Sequence, residues 1–361
     1  MRIFATSMLA LAALCGLVGC SESDGPGYPP PPSPEKIKGA LVVNQGSMYS
    51  GISGTLDALD LDSGKYHSDV FAAVNGQSLG DSPQNGVAYG SKIYVSVFGS
   101  DLVWVLNRST LAIMGSVTTT APQYVCAAGG RVFISNNDGY VTCIDTTSYA
   151  VTAHVAVGPN PQHMVASDDT VYVSISDGYN YVNGYVDGFR VAKLAVDAPE
   201  NPVYSRVGMN PGQLALDADG NLFVVCRGDY ATVPQQVYKV TPAGAVSVFC
   251  PATAIAARGH ELYAANVVTD YAQYPPVMEQ SYKVYDTRTG AVTVESLIAP
   301  EHQPVAPINM DMHPQTGEIF IGSNNSASDY TSRGKLHHYT LKGEPVAVYE
   351  TGVAPYSVIF R

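Results

Sequence analysis

A short alternation of apolar and polar residues recurs along the chain, and a proline introduces each copy. The copies are SPQNGVAYGSKIYVSV from Ser82, APQYVCAAGGRVFISN from Ala121, NPQHMVASDDTVYVSI from Asn160, NPGQLALDADGNLFVVC from Asn210, CPATAIAARGHELYAAN from Cys250, APINMDMHPQTGEIFIGS from Ala306 and APYSVIFR from Ala354. A short apolar run after the proline predicts a first strand, A. A turn with Gly, Asp or Asn follows, and then an aromatic and β-branched run predicts a second strand, B.

A second recurring segment predicts the rest of each repeat. It reads LDLDSGK at Leu59, VLNRSTL at Val105, CIDTTSY at Cys143, YKVTPAG at Tyr238, VYDTRTG at Val284 and YTLKGEP at Tyr339. Asp, Asn, Thr and Gly at these positions favour a tight hairpin between strands C and D. The third repeat is irregular around Leu194, so its turn is harder to place. No helix of consequence is predicted.

The last copy of the repeat is split between the two ends of the chain. APYSVIFR supplies one strand only, and GALVVNQGS from Gly39 supplies the strand B that should follow it. A repeat divided in this way closes a ring. The prediction is an all-β fold, a seven-bladed β-propeller of four-stranded antiparallel blades whose N- and C-terminal strands pair.

The N-terminus has the pattern of a secretion signal. Arg2 precedes an apolar run over residues 3–17, and Leu17-Val18-Gly19-Cys20 resembles a bacterial lipobox. We interpret residues 1–20 as a lipoprotein signal peptide with Cys20 lipidated, residues 21–37 as a Pro/Gly-rich tether, and residues 38–361 as the propeller. The alternatives are an ordinary signal peptide and, less favoured, a membrane helix, which needs about 20 apolar residues. The expected location is the outer membrane, lipid-anchored and facing the cell exterior.

Charge and cysteine content narrow the function classes. The formal net charge is −12 and no basic cluster occurs, so nucleic acid is not an expected partner. Charged residues make up only 14% of the chain, whereas tyrosine occurs 24 times, which favours an aromatic, hydrogen-bonding surface. The cysteines have no zinc-site spacing. Cys226 and Cys250 are either a disulfide or two buried thiols, and sequence leaves both open.

The D–A and B–C loops of a propeller open on one face, and polar and aromatic residues collect in them here. Proline spacing grows from 39 residues (Pro83 to Pro122) to 56 (Pro251 to Pro307), and most of the excess is assigned to B–C loops. Long loops on a rigid scaffold favour ligand binding. For the glutamines that follow the prolines, hydrogen bonding to nearby backbone groups is favoured over contact with a ligand. The predicted ligand-binding residues are Asn44, Tyr49, Phe98, Gln123, Tyr124, Asn136, Gln162, His163, Tyr179, Tyr181, Arg227, Tyr230, Asn266, Tyr271, Tyr274, Asn324 and Tyr330.

Signals for catalysis or metal binding are weak. The segment DGYNYVNGYVDG is rich in Asp and Asn but lacks the register of an EF-hand loop. The histidines are scattered without metal-site spacing, and no GxSxG, phosphate loop or CxxC motif occurs. The sequence therefore predicts no catalytic residue, no metal site and no cofactor.

Residues 39–81, GALVVNQGSMYSGISGTLDALDLDSGKYHSDVFAAVNGQSLGD, carry a family resemblance. The chain resembles the YncE-like seven-bladed propellers over residues 39–361, and is more similar to Gram-negative surface lipoproteins of that fold. The resemblance implies capture of a bulky nutrient, cobalamin or a related corrinoid first and an iron siderophore next. It also implies delivery to a TonB-dependent outer-membrane transporter. The alternatives are a propeller enzyme of lactonase or lyase type and a surface scaffold that binds protein or glycan.

Overall fold

Seven antiparallel sheets follow one another along the chain, which confirms the predicted propeller. The computed structural model describes residues 36–270, 272–274 and 276–361. We number the blades after the repeats, so blade 1 starts at Pro83 and blade 7 is the split one. Blade 7 contains β1 (Gly39–Asn44), β2 (Thr55–Asp60), β3 (Tyr66–His67) and β29 (Pro355–Phe360), and blade 1 contains β4 (Pro83–Tyr89), β5 (Lys92–Val97), β6 (Leu102–Asn107) and β7 (Ile113–Thr118). Blade 2 contains β8 (Pro122–Ala128), β9 (Arg131–Asn136), β10 (Tyr140–Asp145) and β11 (Val151–Ala156), blade 3 contains β12 (Pro161–Ala166), β13 (Thr170–Ile175), β14 (Arg190–Ala195) and β15 (Val203–Arg206), and blade 4 contains β16 (Pro211–Leu216), β17 (Leu222–Cys226), β18 (Gln236–Val240) and β19 (Val246–Cys250). Blade 5 contains β20 (Ala254–Arg258), β21 (Glu261–Asp270), β22 (Val277–Asp286) and β23 (Val292–Val294), and blade 6 contains β24 (Ala306–Pro307), β25 (Asp311–Met312), β26 (Ile319–Asn324), β27 (Arg333–Tyr339) and β28 (Pro345–Val353).

The ring closes between the two ends of the folded chain, as the split repeat predicts. Strand β29 pairs antiparallel with β1, and Val358 lies opposite Val42. All six residues of β1 are buried. Strand β29 is therefore strand A of blade 7, and the N-terminal segment supplies strands B, C and D.

The hydrophobic core is divided into clusters that join one blade to the next. Tyr94 and Val105 of blade 1, for example, pack with Val132 and Ile134 of blade 2, and all four are fully buried. A buried aliphatic or aromatic side chain of this size stabilises the fold by roughly 1.5–3 kcal/mol. Because each cluster needs its neighbouring blade, the length of the chain is not limited by one central core.

The predicted C–D hairpins are stabilised by their Asp and Asn side chains. Asp145 Oδ1 accepts from the backbone N–H groups of Thr147 (3.0 Å) and Ser148 (2.7 Å), and Asp286 makes the same two bonds in blade 5. The bonds to Ser148 lower the pKa of the Asp145 carboxyl. These turns confirm the hairpin pattern deduced from the sequence.

Two elements differ from the sequence-based expectation. Helix α1 (Val70–Asn75) is short but anchored, because Phe71 is buried against Trp104 with ring centroids 5.6 Å apart. The segment from Asn266 to Tyr282, expected to be a loop, is largely a continuation of β21 and β22 into a long hairpin. Four short 3-10 helices complete the described secondary structure, at Met48–Ser50, Phe98–Ser100, Tyr181–Asn183 and Pro300–His302.

The structure shows whether the cysteines are paired and whether a described helix could span a membrane. Cys226 and Cys250 are free buried thiols, as are Cys126 and Cys143. Burial raises the pKa of the Cys226 and Cys250 thiols to about 12. Across residues 36–270, 272–274 and 276–361, no helix has the length and apolar character needed to cross a bilayer.

Candidate functional site

The D–A and B–C loops lie on one face of the propeller, where hydrogen bonds join them blade by blade. The residue before the strand A proline accepts from the B–C loop: Ala121 O from Asn137 N (3.1 Å) and Asn210 O from Arg227 N (3.0 Å). Ala121 and Asn210 have positive φ values, 42° and 56°. This conformation is uncommon outside glycine, and here the residues that adopt it are the ones whose carbonyls accept from the loops.

Strand A of each blade lines a central cavity that opens on this face. The cavity has a volume of about 120 Å³ and is lined by amide, aromatic and charged side chains, among them Gln123, Tyr124, Gln162, His163 and Arg227. These five were predicted from sequence as ligand-binding residues, and the structure brings them together. The cavity is small and its lining is mostly polar, so it has room for a small polar group rather than for a whole bulky ligand.

Bulges in strand A turn these side chains toward the cavity. The pairing register shifts between Pro83 and Gly86, and again between Pro161 and Met164. A bulge leaves residues unpaired and redirects them, and bulges are enriched beside functional sites. The residues involved are the glutamine after each proline and the residue that follows it.

The second residue after the proline forms a belt of hydrogen bonds between neighbouring blades. Asn85 Oδ1 accepts from Val125 N (2.8 Å) and its Nδ2 donates to Val125 O (3.3 Å). Gln213 Oε1 accepts from Ile255 N (2.9 Å) in the same way. Strand A has no partner strand on its channel side, so these side chains satisfy backbone groups that would otherwise be unpaired.

The glutamines themselves divide between structural and free roles. The Gln84 amide donates to Ser82 O (3.0 Å), which fits the structural alternative. Among the described residues, the side-chain amides of Gln123 and Gln162 have no hydrogen-bond partner, although both line the cavity. Those two amides are available to a ligand.

His163 packs against Tyr124 and lies within the electrostatic influence of Arg227. The His163 ring lies 4.0 Å from the Tyr124 ring, centroid to centroid, and its Nδ1 accepts from Leu214 N (3.2 Å). Burial, with a smaller contribution from the Arg227 charge, lowers the pKa of His163 to about 3. His163 is therefore neutral at physiological pH, with its proton on Nε2 because Nδ1 is an acceptor.

Asp311 is the acidic group of the cavity. Its Oδ2 accepts from Asn309 Nδ2 (2.6 Å) and from Val358 N (2.9 Å) in the next blade. Burial raises the pKa of this carboxyl to about 7, although the two hydrogen bonds act in the opposite direction. Asp311 can therefore hold or release a proton near neutral pH.

Exposed tyrosines lie on the B–C loops, on the same face of the propeller as the D–A loops. Tyr49 and Tyr274 are almost fully exposed, at 98% and 99%, and the others are more than half exposed. The set is Tyr49 in blade 7, Tyr179 and Tyr181 in blade 3, Tyr230 in blade 4, Tyr274 in blade 5 and Tyr330 in blade 6. We call these six residues the tyrosine rim.

Several other predicted site residues lie away from the cavity. Asn44 and Asn136 are fully buried inside their own blades, where Asn136 Nδ2 donates to Thr142 Oγ1 (2.6 Å). Phe98, Asn266 and Asn324 are half-buried at the ends of strands or in the β21–β22 hairpin. Tyr271 and the lipidation site Cys20 lie outside the described residues. The ligand-binding role of the whole set stays a prediction.

Sequence reasoning missed Asn85, Asn309, Asp311, Thr253 and Tyr356, which also line the cavity. For Asn85 the signal was its position two residues after the proline, shared with His163. For Asp311 the signal was an acidic residue in a strand that is apolar in the other repeats.

Metal binding has no support in the described geometry. In the part of the chain that the structure covers, no group of three or more His, Cys, Asp or Glu residues could hold a metal ion. In the DGYNYVNGYVDG loop, Asp177 Oδ2 accepts from Asn180 Nδ2 (3.0 Å) and Asp187 N (3.1 Å), so this oxygen serves the loop itself.

Comparison with known proteins supports the fold. The structure is similar to hydrazine synthase of Kuenenia stuttgartiensis, with a TM-score of 0.60 and 16% identity over 77% of this chain and 89% of that one. It is also similar to a quinonprotein alcohol dehydrogenase-like protein from Bacteroides thetaiotaomicron, with a TM-score of 0.62 and 15% identity over 90% of this chain and 78% of that one. No protein-family model and no curated protein matches the sequence. At these identities the likeness shows the propeller fold alone.

Proposed function

We propose that this protein is a surface-anchored binding protein that captures a bulky nutrient on its loop face and delivers it to a TonB-dependent outer-membrane transporter. Cobalamin or a related corrinoid is the favoured ligand, and a ferric siderophore is the next. The observation that carries the proposal is the tyrosine rim on the loop face. The resemblance to surface lipoproteins supplies the ligand class and the partner.

Exposing the tyrosine rim to water has a free-energy cost. Six tyrosines on one face leave a large aromatic area in water, and monomeric proteins keep such area where something binds. A tyrosine ring offers wide contact with few rotatable bonds, so holding it against a ligand costs little conformational entropy. Five of the seven blades contribute to the rim, so a ligand that contacts all of it must be broad.

Calorimetric titration of the whole protein with cobinamide, cyanocobalamin and a ferric siderophore tests the proposal. We expect submicromolar binding of one of them. A Tyr179→Ser/Tyr181→Ser/Tyr230→Ser variant should bind it at least tenfold more weakly, because stacking contacts are lost. Tyr204→Ser is the matched control, since Tyr204 is an exposed tyrosine on outer strand β15. No tight binding of any of the three compounds by the wild-type protein would contradict the proposal.

A second candidate, a propeller enzyme of lactonase or lyase type, is favoured by one observation. The cavity brings together Asp311, whose pKa is about 7, and His163, Tyr124 and Arg227. A carboxyl group that titrates near neutral pH is suited to general acid–base catalysis. Turnover of lactone substrates that is lost in Asp311→Asn would support the enzyme, and turnover that is unchanged in this variant would contradict it.

A further inference from the structure

Arg227 brings a positive charge to the central cavity, which also contains the Asp311 carboxyl group. No carboxylate among the described residues lies within ion-pair distance of its guanidinium. The guanidinium lies flat over Gly212, where a Cβ atom would come within 2.6 Å of its central carbon. The missing side chain at Gly212 therefore leaves the space that the guanidinium occupies. A guanidinium stays charged at every physiological pH and offers paired donors to a carboxylate or phosphate.

An apolar groove lies next to the cavity. It has a volume of about 210 Å³ and lies between the inner face of the β21–β22 hairpin and blade 6. Thr253, Ala254, Ile308 and Asn309 line both the cavity and the groove, so the two spaces are adjacent. Beyond these shared residues the groove is mainly aliphatic.

The inner face of the β21–β22 hairpin has side chains that can contact an apolar part of a ligand. Val267, Met278 and Tyr282 line the groove, whereas Val268 and Val277 on the opposite face are exposed. This alternation follows from the register, in which Thr269 lies opposite Met278 and Ala265 opposite Tyr282.

Hydrogen bonds fix the hairpin in place. Tyr282 OH donates to Gln280 Oε1 (2.9 Å), and Gln280 Nε2 donates to Pro304 O (2.8 Å) across the start of blade 6. The groove is therefore formed before a ligand arrives, which lowers the entropy cost of binding.

We propose that cavity and groove form one binding site for an elongated amphipathic molecule, with an anionic oxygen group paired to Arg227 and an apolar segment under the β21–β22 hairpin. The proposal rests on the capture function proposed above and deepens it, because it states which part of the ligand enters the ring. The tyrosine rim would contact the remainder of a larger ligand.

Octyl phosphate is the test probe, used with the whole protein below its micelle concentration. Octanol carries the chain without the charge, and inorganic phosphate carries the charge without the chain. We expect octyl phosphate to bind at least tenfold more tightly than either compound, measured by calorimetry at constant ionic strength. Equal affinity for octanol and octyl phosphate would overturn the proposal.

Variants separate the two ends of the site. Arg227→Gln should remove the preference for octyl phosphate over octanol, while Arg227→Lys should keep most of it. Met278→Asp should weaken octyl phosphate at least tenfold without changing the response to inorganic phosphate. Arg190→Gln is the matched control, because Arg190 pairs with Asp187 (3.5 Å) outside the cavity. Arg227→Gln that behaves like Arg190→Gln, with both variants folded by circular dichroism, would overturn the proposal.

The outcome is distinguishable from failure of the capture function. The triple tyrosine variant should still bind octyl phosphate, since the rim is outside the cavity and groove. Binding of a corrinoid or siderophore without binding of octyl phosphate would overturn this inference and leave the capture function standing. Binding of octyl phosphate without any bulky ligand would do the reverse.

Discussion

Asp311 is an acidic residue at a position of strand A that is apolar in the other six blades. The corresponding residues of the other blades are apolar: Val87, Cys126, Val165, Ala215, Ala256 and Ile359. Asp311 faces the cavity and also closes the belt between blades 6 and 7 through Val358 N. The Asp311 carboxyl group therefore accepts a hydrogen bond that links two blades and also titrates near neutral pH.

The shifted pKa predicts how stability depends on pH. The folded-state pKa of Asp311, about 7, is above the ordinary value of 3.8 for an aspartate, so the folded protein holds this proton more tightly than the unfolded chain. The contribution is fully present below about pH 4 and is lost as pH rises through 7. We expect Asp311→Asn to flatten this part of the stability profile, measured as the denaturant midpoint from pH 4 to 8.

Asp197→Asn on the outer surface is the control for that measurement, and it should leave the profile unchanged. Subtracting the two profiles isolates Asp311 from carboxyl groups such as Asp145, whose lowered pKa acts in the opposite direction. A profile for Asp311→Asn that falls between pH 4 and 7 as steeply as the wild type would contradict the assignment.

At the scale of elements, strand A is held on its open edge by side chains from its neighbour. Asn85 uses both ends of its amide on Val125, and Ser96 Oγ donates to Asn85 O (3.1 Å) within the blade. Removing one partner of a buried hydrogen bond costs about 1–3 kcal/mol because the other partner stays unsatisfied. The belt therefore links adjacent blades as well as lining the channel.

We expect Asn85→Ala to lower the free energy of unfolding by about 1–3 kcal/mol, since Val125 loses both partners. Gln123→Ala is the matched control in the neighbouring blade. Its amide has no partner among the described residues, so its effect should stay within about 0.5 kcal/mol. Chemical denaturation measures both, and equal losses in the two variants would show that the belt contributes nothing specific.

The elements also show which parts of the structure a sequence can predict. Strands A and B follow from a proline, a turn and an alternation of period two, and all three are local signals. The β21–β22 extension was predicted as a loop because the extra residues between Pro251 and Pro307 were assigned to the B–C connection, although positions 267, 269, 278, 280 and 282 form one face of a hairpin. Helix α1 was not predicted because six residues carry too weak a periodicity, and its anchor, Trp104, lies in another blade.

The site was predictable only in part, for a physical reason. The glutamines and His163 were visible at a fixed distance from a proline. The pairing of Asn85 with Val125 depends on how far each blade is rotated from the next. That rotation is set by packing between blades, which no single repeat encodes.

At the scale of the whole molecule, the junction between blades 6 and 7 completes the ring. Asp57 is buried there and its carboxyl group accepts from Tyr66 OH (2.8 Å), from Asp69 N (2.8 Å) and from Gly352 N (3.1 Å) of strand β28. The Tyr66 and Tyr349 rings stack across the same junction, with centroids 5.4 Å apart. One carboxyl group thus joins the N-terminal and C-terminal parts of the chain.

We expect Asp57→Ala to cost about 3 kcal/mol or more, because three donors lose their acceptor in a buried site. Asp60→Ala is the matched control: Asp60 ends the same strand and accepts from Ser63 in an exposed turn, so its loss should cost much less than the loss of Asp57. A propeller is stabilised between neighbours, so the loss should appear first at one junction. Hydrogen exchange should therefore speed up in β1, β28 and β29 before it does in blades 2 to 4. Uniform acceleration around the ring, or equal costs for the two variants, would contradict a role for Asp57 in closure.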